Sequence, residues 1–124
     1  MAIFFDSLMR LWLLISKPAV LDWIDSLEAF IQALPDCSIT VHRYGGSQFN
    51  YQGKEFAHLH SHGLLDILFN QQIKKSLIAE GKALPHHVFP QSGWISFYIR
   101  TEADLVKALD LLQQAYERIK AKHS

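Results

Sequence analysis

Three histidines alternate with other residues in the run Phe56-Ala57-His58-Leu59-His60-Ser61-His62-Gly63-Leu64-Leu65-Asp66-Ile67, with apolar residues on both sides. Alternation has the period of an extended strand, so His58 and His60 fall on one face while Ala57 and Leu59 fall on the other. A helix would scatter the same residues around its circumference. The run therefore calls for a sheet with one apolar face and one face bearing imidazoles. Six of the seven histidines lie between His42 and His87. Imidazole is the side chain that titrates near neutral pH and the commonest metal ligand, so the chemistry of this chain is expected in that segment.

The register of the neighbouring strand decides what the histidines meet. If Ser61-His62-Gly63 is a three-residue hairpin loop, His60 pairs with Leu64 and His58 stands opposite Asp66 on the same face. A carboxylate there fixes one imidazole tautomer and raises the basicity of the other ring nitrogen. A loop one residue shorter or longer turns Asp66 to the opposite face. His86 and His87 follow Pro85 in a loop and can converge with the pair, and Arg43 is a candidate anchor for an anionic group. The ordinary reading of His58 and His60 is a hydrogen-bonded structural pair within a sheet. His62 reads as a turn residue, and Gln91-Ser92-Gly93 lacks the G-x-S-x-G elbow of a serine nucleophile.

Punctuation divides the rest. Pro18 suits the first turn of a helix in which Val20, Ile24, Leu27, Ile31 and Leu34 recur at helical spacing, with Pro35-Asp36 as its end. Ile39 to Tyr44 is a strand candidate, Gly45-Gly46 a turn, Phe49 to Tyr51 a second short strand, and Gly53 begins the histidine strand. Leu64 to Phe69 follows as a strand, and Asn70 can cap a helix with Ile73, Leu77 and Ile78 on its apolar side and Gly81 as its stop. Gly93 to Ile99 is a further strand. Thr101 with Asp104 resembles a capping box before an amphipathic helix carrying Leu105, Leu109, Leu112, Tyr116 and Ile119. The expected order is α-α-β-β-β-β-α-β-α. It implies the α+β class, a small antiparallel sheet with helices packed on one face.

A length of 124 residues with 49% hydrophobic and 19% charged residues fits one compact domain, a helical segment over 1–35 joined to a sheet and helices over 36–124. Twelve acidic residues balance twelve basic ones, and the only adjacent basic pair is Lys74-Lys75, which speaks against a nucleic-acid partner. Cys37 is the single cysteine, so no intramolecular disulfide forms. A reducing, cytoplasmic location and a buried structural thiol are expected. Met1 to Lys17 is strongly apolar, but Asp6 and Arg10 interrupt it before a membrane-spanning length, and it lacks a secretory signal's basic start and cleavage site. It reads as a helix over Ile3 to about Ser16. Its apolar residues cover more than one face, so a second copy of the chain, a membrane surface touched peripherally, or the chain's own core must cover the remainder.

Lys54-Glu55-Phe56-Ala57-His58-Leu59-His60, the apolar strand after it, Glu80-Gly81 with His86 five positions beyond the glycine, and Trp94-Ile95-Ser96-Phe97-Tyr98 resemble the luciferase domain of bioluminescent fungi and its small bacterial relatives. The shared span is roughly Lys54 to Tyr116. The resemblance implies oxygenation of a hydroxylated pyrone by molecular oxygen, with no known organic cofactor. Carried over position by position, it points to His58, His60 and His86, with Trp94 and Tyr98 as pocket walls. Where the fungal pattern has histidine in the strand after A-H-x-H, this chain has Asp66. Where that pattern reads G-W-G-Q-R-H, this chain has Gly81-Lys82-Ala83-Leu84-Pro85-His86. A second, weaker likeness is to small bacterial double-wing proteins.

Two function classes follow. One is an oxygenase-like enzyme with His58, His60, Asp66 and His86 as its acid–base set and Arg43, His87, Trp94 and Tyr98 lining the site of a planar, hydroxylated small molecule. The other is a non-catalytic binding or interaction module, dimeric through the N-terminal helix. No cofactor and no metal are expected, because H-E-x-x-H and paired-cysteine spacings are absent; a transition-metal site from His58, His60 and His86 or His87 is the remaining alternative.

Overall fold

The structure, a computed structural model, describes residues 18–41, 45–86 and 91–123. The helix expected over Ile3 to Ser16 lies outside the described residues, as do His42, Arg43 and His87.

Helix α1 (Pro18–Ala33) buries Ile24, Leu27 and Ile31, which share one side at three- and four-residue spacing. It stops before Pro35. Asp36 takes a φ of 65°, and the Cys37 N–H donates to Leu34 O at 3.2 Å, which turns the chain into the sheet. The strands are β1 (Cys37–Val41), β2 (Ser47–Tyr51), β3 (Lys54–Leu59), β4 (Leu64–Leu68), β5 (Leu84–Pro85) and β6 (Trp94–Tyr98). Helix α2 (Gln71–Ala79) lies between β4 and β5, and α3 (Glu102–Lys122) follows β6. The sheet order is β1-β2-β3-β4-β6-β5 with every pair antiparallel, the α+β arrangement that the sequence implies.

Three details differ from the sequence reading. Strands β1 and β2 begin at Cys37 and Ser47, each two residues early. Strand β5 was not expected: Leu84 and Pro85 are exposed and pair with Ser96 and Ile95 only because β6 offers them an edge. The third is a register shift between Phe49 and Asn50, which face Ala57 and Glu55 and leave Phe56 as an extra residue. Phe56 and Ala57 both enter the core, and Glu55 comes into line with Asn50.

Alternation sorts the two faces. Phe49, Tyr51, Ala57, Leu59, Leu65, Ile67 and Ile95 share the apolar side, and α1 and α3 complete the same buried cluster. Each Leu or Ile fully buried there contributes about 1.5–3 kcal/mol. The buried face of α3 is Ala108, Leu111, Leu112, Ala115, Tyr116 and Ile119, whereas Leu105 and Leu109 are only partly covered. Tyr116 sets its ring edge-on to Tyr51 at 5.8 Å and donates its hydroxyl to Pro35 O at 3.1 Å. Trp23 Nε1 donates to Glu102 at 2.8 Å, tying α1 to the start of α3.

Two helix starts follow their sequence signals. Asn70 accepts from the Ile73 N–H at 2.8 Å, and Thr101 with Asp104 closes a reciprocal capping box, aspartate serving in place of glutamate. Thr101→Ala is expected to cost about 1 kcal/mol, read from the urea midpoint at unchanged slope. Cys37 is half-buried rather than buried. Burial and, after it, the Asp36 carboxylate push its thiol up to about 11. Its alkylation at pH 8 should therefore run on the order of a hundredfold slower than that of an unhindered peptide cysteine, since only the thiolate reacts.

Candidate functional site

The polar face of the sheet carries an in-register row. Thr40 pairs with Gln48, Gln48 with His58, His58 with Asp66, and Asp66 with Ser96, so five strands each place one polar residue on a single line. His58, Asp66 and Ser96 are buried there, which makes each of their polar atoms an obligation to find a partner. Beside the row, Gln48 Nε2 donates to Asn50 at 2.6 Å, and Asn50 donates to Thr40 at 3.3 Å.

The hairpin that sets the register has the three-residue loop read from the sequence. The His60 N–H donates to Leu64 O at 2.8 Å, the Gly63 N–H returns to His60 O at 3.0 Å, and His58 lies opposite Asp66. The carboxylate nevertheless engages His60 and not its direct partner. His60 Nε2 and Asp66 Oδ2 are 2.9 Å apart, while His58 Nε2 donates to Gly45 O at 2.9 Å. A diagonal neighbour lies within reach of a ring as long as imidazole, and His58 is already held from the other side. The two rings lie 4.1 Å apart between centroids.

His58 owes its position to the backbone above it. Gly46 has a φ of 82°, and a Cβ there would stand 2.3 Å from Leu59 O and 3.1 Å from His58 Nε2. Only glycine lets residues 45 and 46 lie this close on β3 and present the Gly45 carbonyl to the imidazole.

Asp66 is the hub. Its Oδ1 accepts from the Ser96 hydroxyl at 2.7 Å, and its Oδ2 accepts from His60 with His86 Nε2 at 3.4 Å. Burial alone would raise the carboxyl pKa. The hydrogen bonds from His60 and Ser96 and the positive potential of His60 and His86 outweigh burial and hold it below the ordinary aspartate value. The Glu55 carboxyl is shifted the other way, by burial first and then by the Asp66 charge. In neutral His60, an Nε2–H donated to Asp66 leaves the lone pair on Nδ1, and the Gly45 carbonyl fixes the same tautomer in neutral His58.

His86 reaches this hub from the loop after β5, and its ring centroid lies 6.1 Å from that of Trp94. Trp94, Ser96 and Tyr98 alternate along β6 and share the polar face. Tyr98 stands at the rim: it is exposed, and its ring faces the Arg100 guanidinium at 4.7 Å. The structure thus brings together His58, His60, Asp66, His86 and Trp94, leaves Tyr98 at the edge, and does not describe Arg43 or His87. His62 is an exposed turn residue whose ring lies 5.6 Å from His60. Ser96 and Gln48 were missed by the sequence reading. Each sits one residue from a core residue of its own strand, Phe49 or Ile95, and so faces away from the core, but only the strand order shows that they join the histidine row.

Lys74 was also unexpected. One member of the adjacent basic pair is buried, donating Nζ to Ser92 O at 2.6 Å, and Ser92 Oγ in turn accepts from the Trp94 N–H at 3.2 Å. This chain of contacts fixes the entry of β6, and with it Trp94. Ser92 serves there as a backbone cap.

Residues 53–115, slightly more than half of the chain, match the family model described as Luciferase domain, and the chain belongs to that family. The matched span begins at the β2–β3 turn and contains His58, His60, Asp66, His86, Trp94 and Ser96. No curated protein and no solved structure matches the chain. Among the described residues, no helix is long and apolar enough to cross a membrane.

Proposed function

We propose that this luciferase-domain protein binds a planar, hydroxylated small molecule on the histidine-bearing face of its sheet and acts on it as an oxygenase without an organic cofactor. The observation that carries this reading is the 2.9 Å contact between His60 Nε2 and the buried Asp66 carboxylate. Asp66 holds the ring in one tautomer, so Nδ1 of His60 is the base that takes a phenolic or enolic proton. Among the described histidines of the site His60 is the most exposed, with 24% of its side chain open to solvent. The resulting anion is electron-rich and is the form that molecular oxygen attacks. Trp94, beside His86, supplies an aromatic wall for a flat ring.

Oxygen uptake tests the enzymatic part. Hydroxy-2-pyrones and polyphenols supplied to the full-length protein should give uptake that depends on protein concentration and falls at least about a hundredfold in His60→Ala. Binding of those compounds without uptake would favour the non-catalytic module instead.

A further inference from the structure

His58, His60 and Asp66 each offer one ligand-type atom, and those atoms lie within 4.8 Å of one another. His86 adds a fourth, with Nε2 at 3.4 Å from Asp66 Oδ2. Two imidazoles and a carboxylate in one buried corner are the donor set of first-row divalent transition metals, whereas magnesium and calcium prefer oxygen alone. The His60–Asp66 distance suits an ion. Two ligands bonded at about 2.0–2.1 Å to a tetrahedral centre lie about 3.3 Å apart. His60 Nε2 and Asp66 Oδ2 at 2.9 Å now share a proton, and a cation replacing it needs only a few tenths of an ångström more room.

The surrounding contacts fit as well. A ligating imidazole usually donates its other N–H to a carbonyl or carboxylate, and His58 does so to Gly45 O. A ligating carboxylate is usually hydrogen-bonded in turn, and Ser96 donates to Asp66 Oδ1. We infer that His58, His60 and Asp66, with His86 beside them, form a binding site for a divalent transition-metal ion of the zinc, iron or cobalt type. The sequence reading expected none because spacing motifs record ligands along one element. Here the ligands meet across a hairpin through its register, and the carboxylate comes from the second strand.

With the ion on Nε2, neutral His60 carries its proton on Nδ1, so the ion-bound protein is a different state from the one in which Nδ1 takes a proton. Ion binding goes beyond the proposed oxygenase reading and is read without any organic molecule, so either claim can fail alone. Full-length protein without a histidine tag, stripped with a chelator, would be titrated calorimetrically with zinc and followed by visible absorption with cobalt. One equivalent should bind, with the intense visible bands of low-coordinate cobalt. Affinity should fall at least about tenfold in His60→Ala and in Asp66→Asn and stay unchanged in His123→Ala. If Asp66→Asn proves unfolded by circular dichroism, His60→Ala decides alone, since that side chain is partly exposed. No binding by the wild type, or binding that His60→Ala leaves intact, overturns the inference.

Discussion

Asp66→Ala is expected to destabilise the protein by about 3 kcal/mol and to abolish binding of any hydroxylated ligand. The carboxylate is 2% exposed and accepts from Ser96 and His60 with His86 close by, so its removal takes a shared partner from three polar side chains at once. Breaking a buried charged pair by deleting one member costs about 3–5 kcal/mol, because the partner keeps its desolvation penalty. His60 is partly exposed and can turn to water, which argues for the lower end. The loss should depend on pH in a defined direction. Asp66 has a folded pKa below its unfolded value, so its contribution is full above that unfolded value, near 3.8, and disappears as pH falls through the folded one. Urea midpoints of wild type and variant should therefore differ most at neutral pH and converge in acid.

Gly46→Ala is the second large effect. A Cβ at this position would meet Leu59 O at 2.3 Å, a backbone atom that cannot swing aside, and the φ of 82° adds strain of about 1–2 kcal/mol for any residue with a side chain. The loop over residues 45 and 46 must lift, which takes the Gly45 carbonyl away from His58. A loss of about 2–4 kcal/mol is expected, with a change in the His58 ring resonances in proton–nitrogen spectra that Gly53→Ala does not produce. Gly53 has open space where its Cβ would stand, so that variant reports backbone strain alone.

The histidine face was legible because alternation is a local signal. His58, Ala57 and Leu59 sort themselves by period alone, whereas the three-residue loop was one of several lengths the sequence allowed and is selected by the bonds between His60, Gly63 and Leu64. The partner of Asp66 was not legible. Register names His58 as its opposite number, but the Gly45 carbonyl competes for that imidazole from a loop 13 residues away, and the carboxylate turns to His60. The Phe56 bulge and the two-residue β5 escaped for the same reason: both arise from pairing with distant strands and leave no periodicity. Ser96 reads as an ordinary strand serine until β6 is known to lie beside β4. The capping box and the Asn70 cap were legible because each spans only four residues.

The central claim is that the His58–His60–Asp66–His86 cluster is a ligand site and not a structural polar knot. The most direct measurement pairs a thermal melt with a calorimetric titration of a hydroxy-2-pyrone on wild type, His58→Ala and His60→Ala. His60→Ala should keep its melting temperature within a few degrees, because the ring is partly exposed and Asp66 keeps Ser96 and His86 beside it. The same variant should bind the pyrone at least about tenfold more weakly. His58→Ala, which also frees the buried Gly45 carbonyl, should lose binding together with about 1–2 kcal/mol of stability. A His60→Ala protein that melts far below the wild type yet binds the pyrone equally well would contradict the claim and make the cluster part of the scaffold.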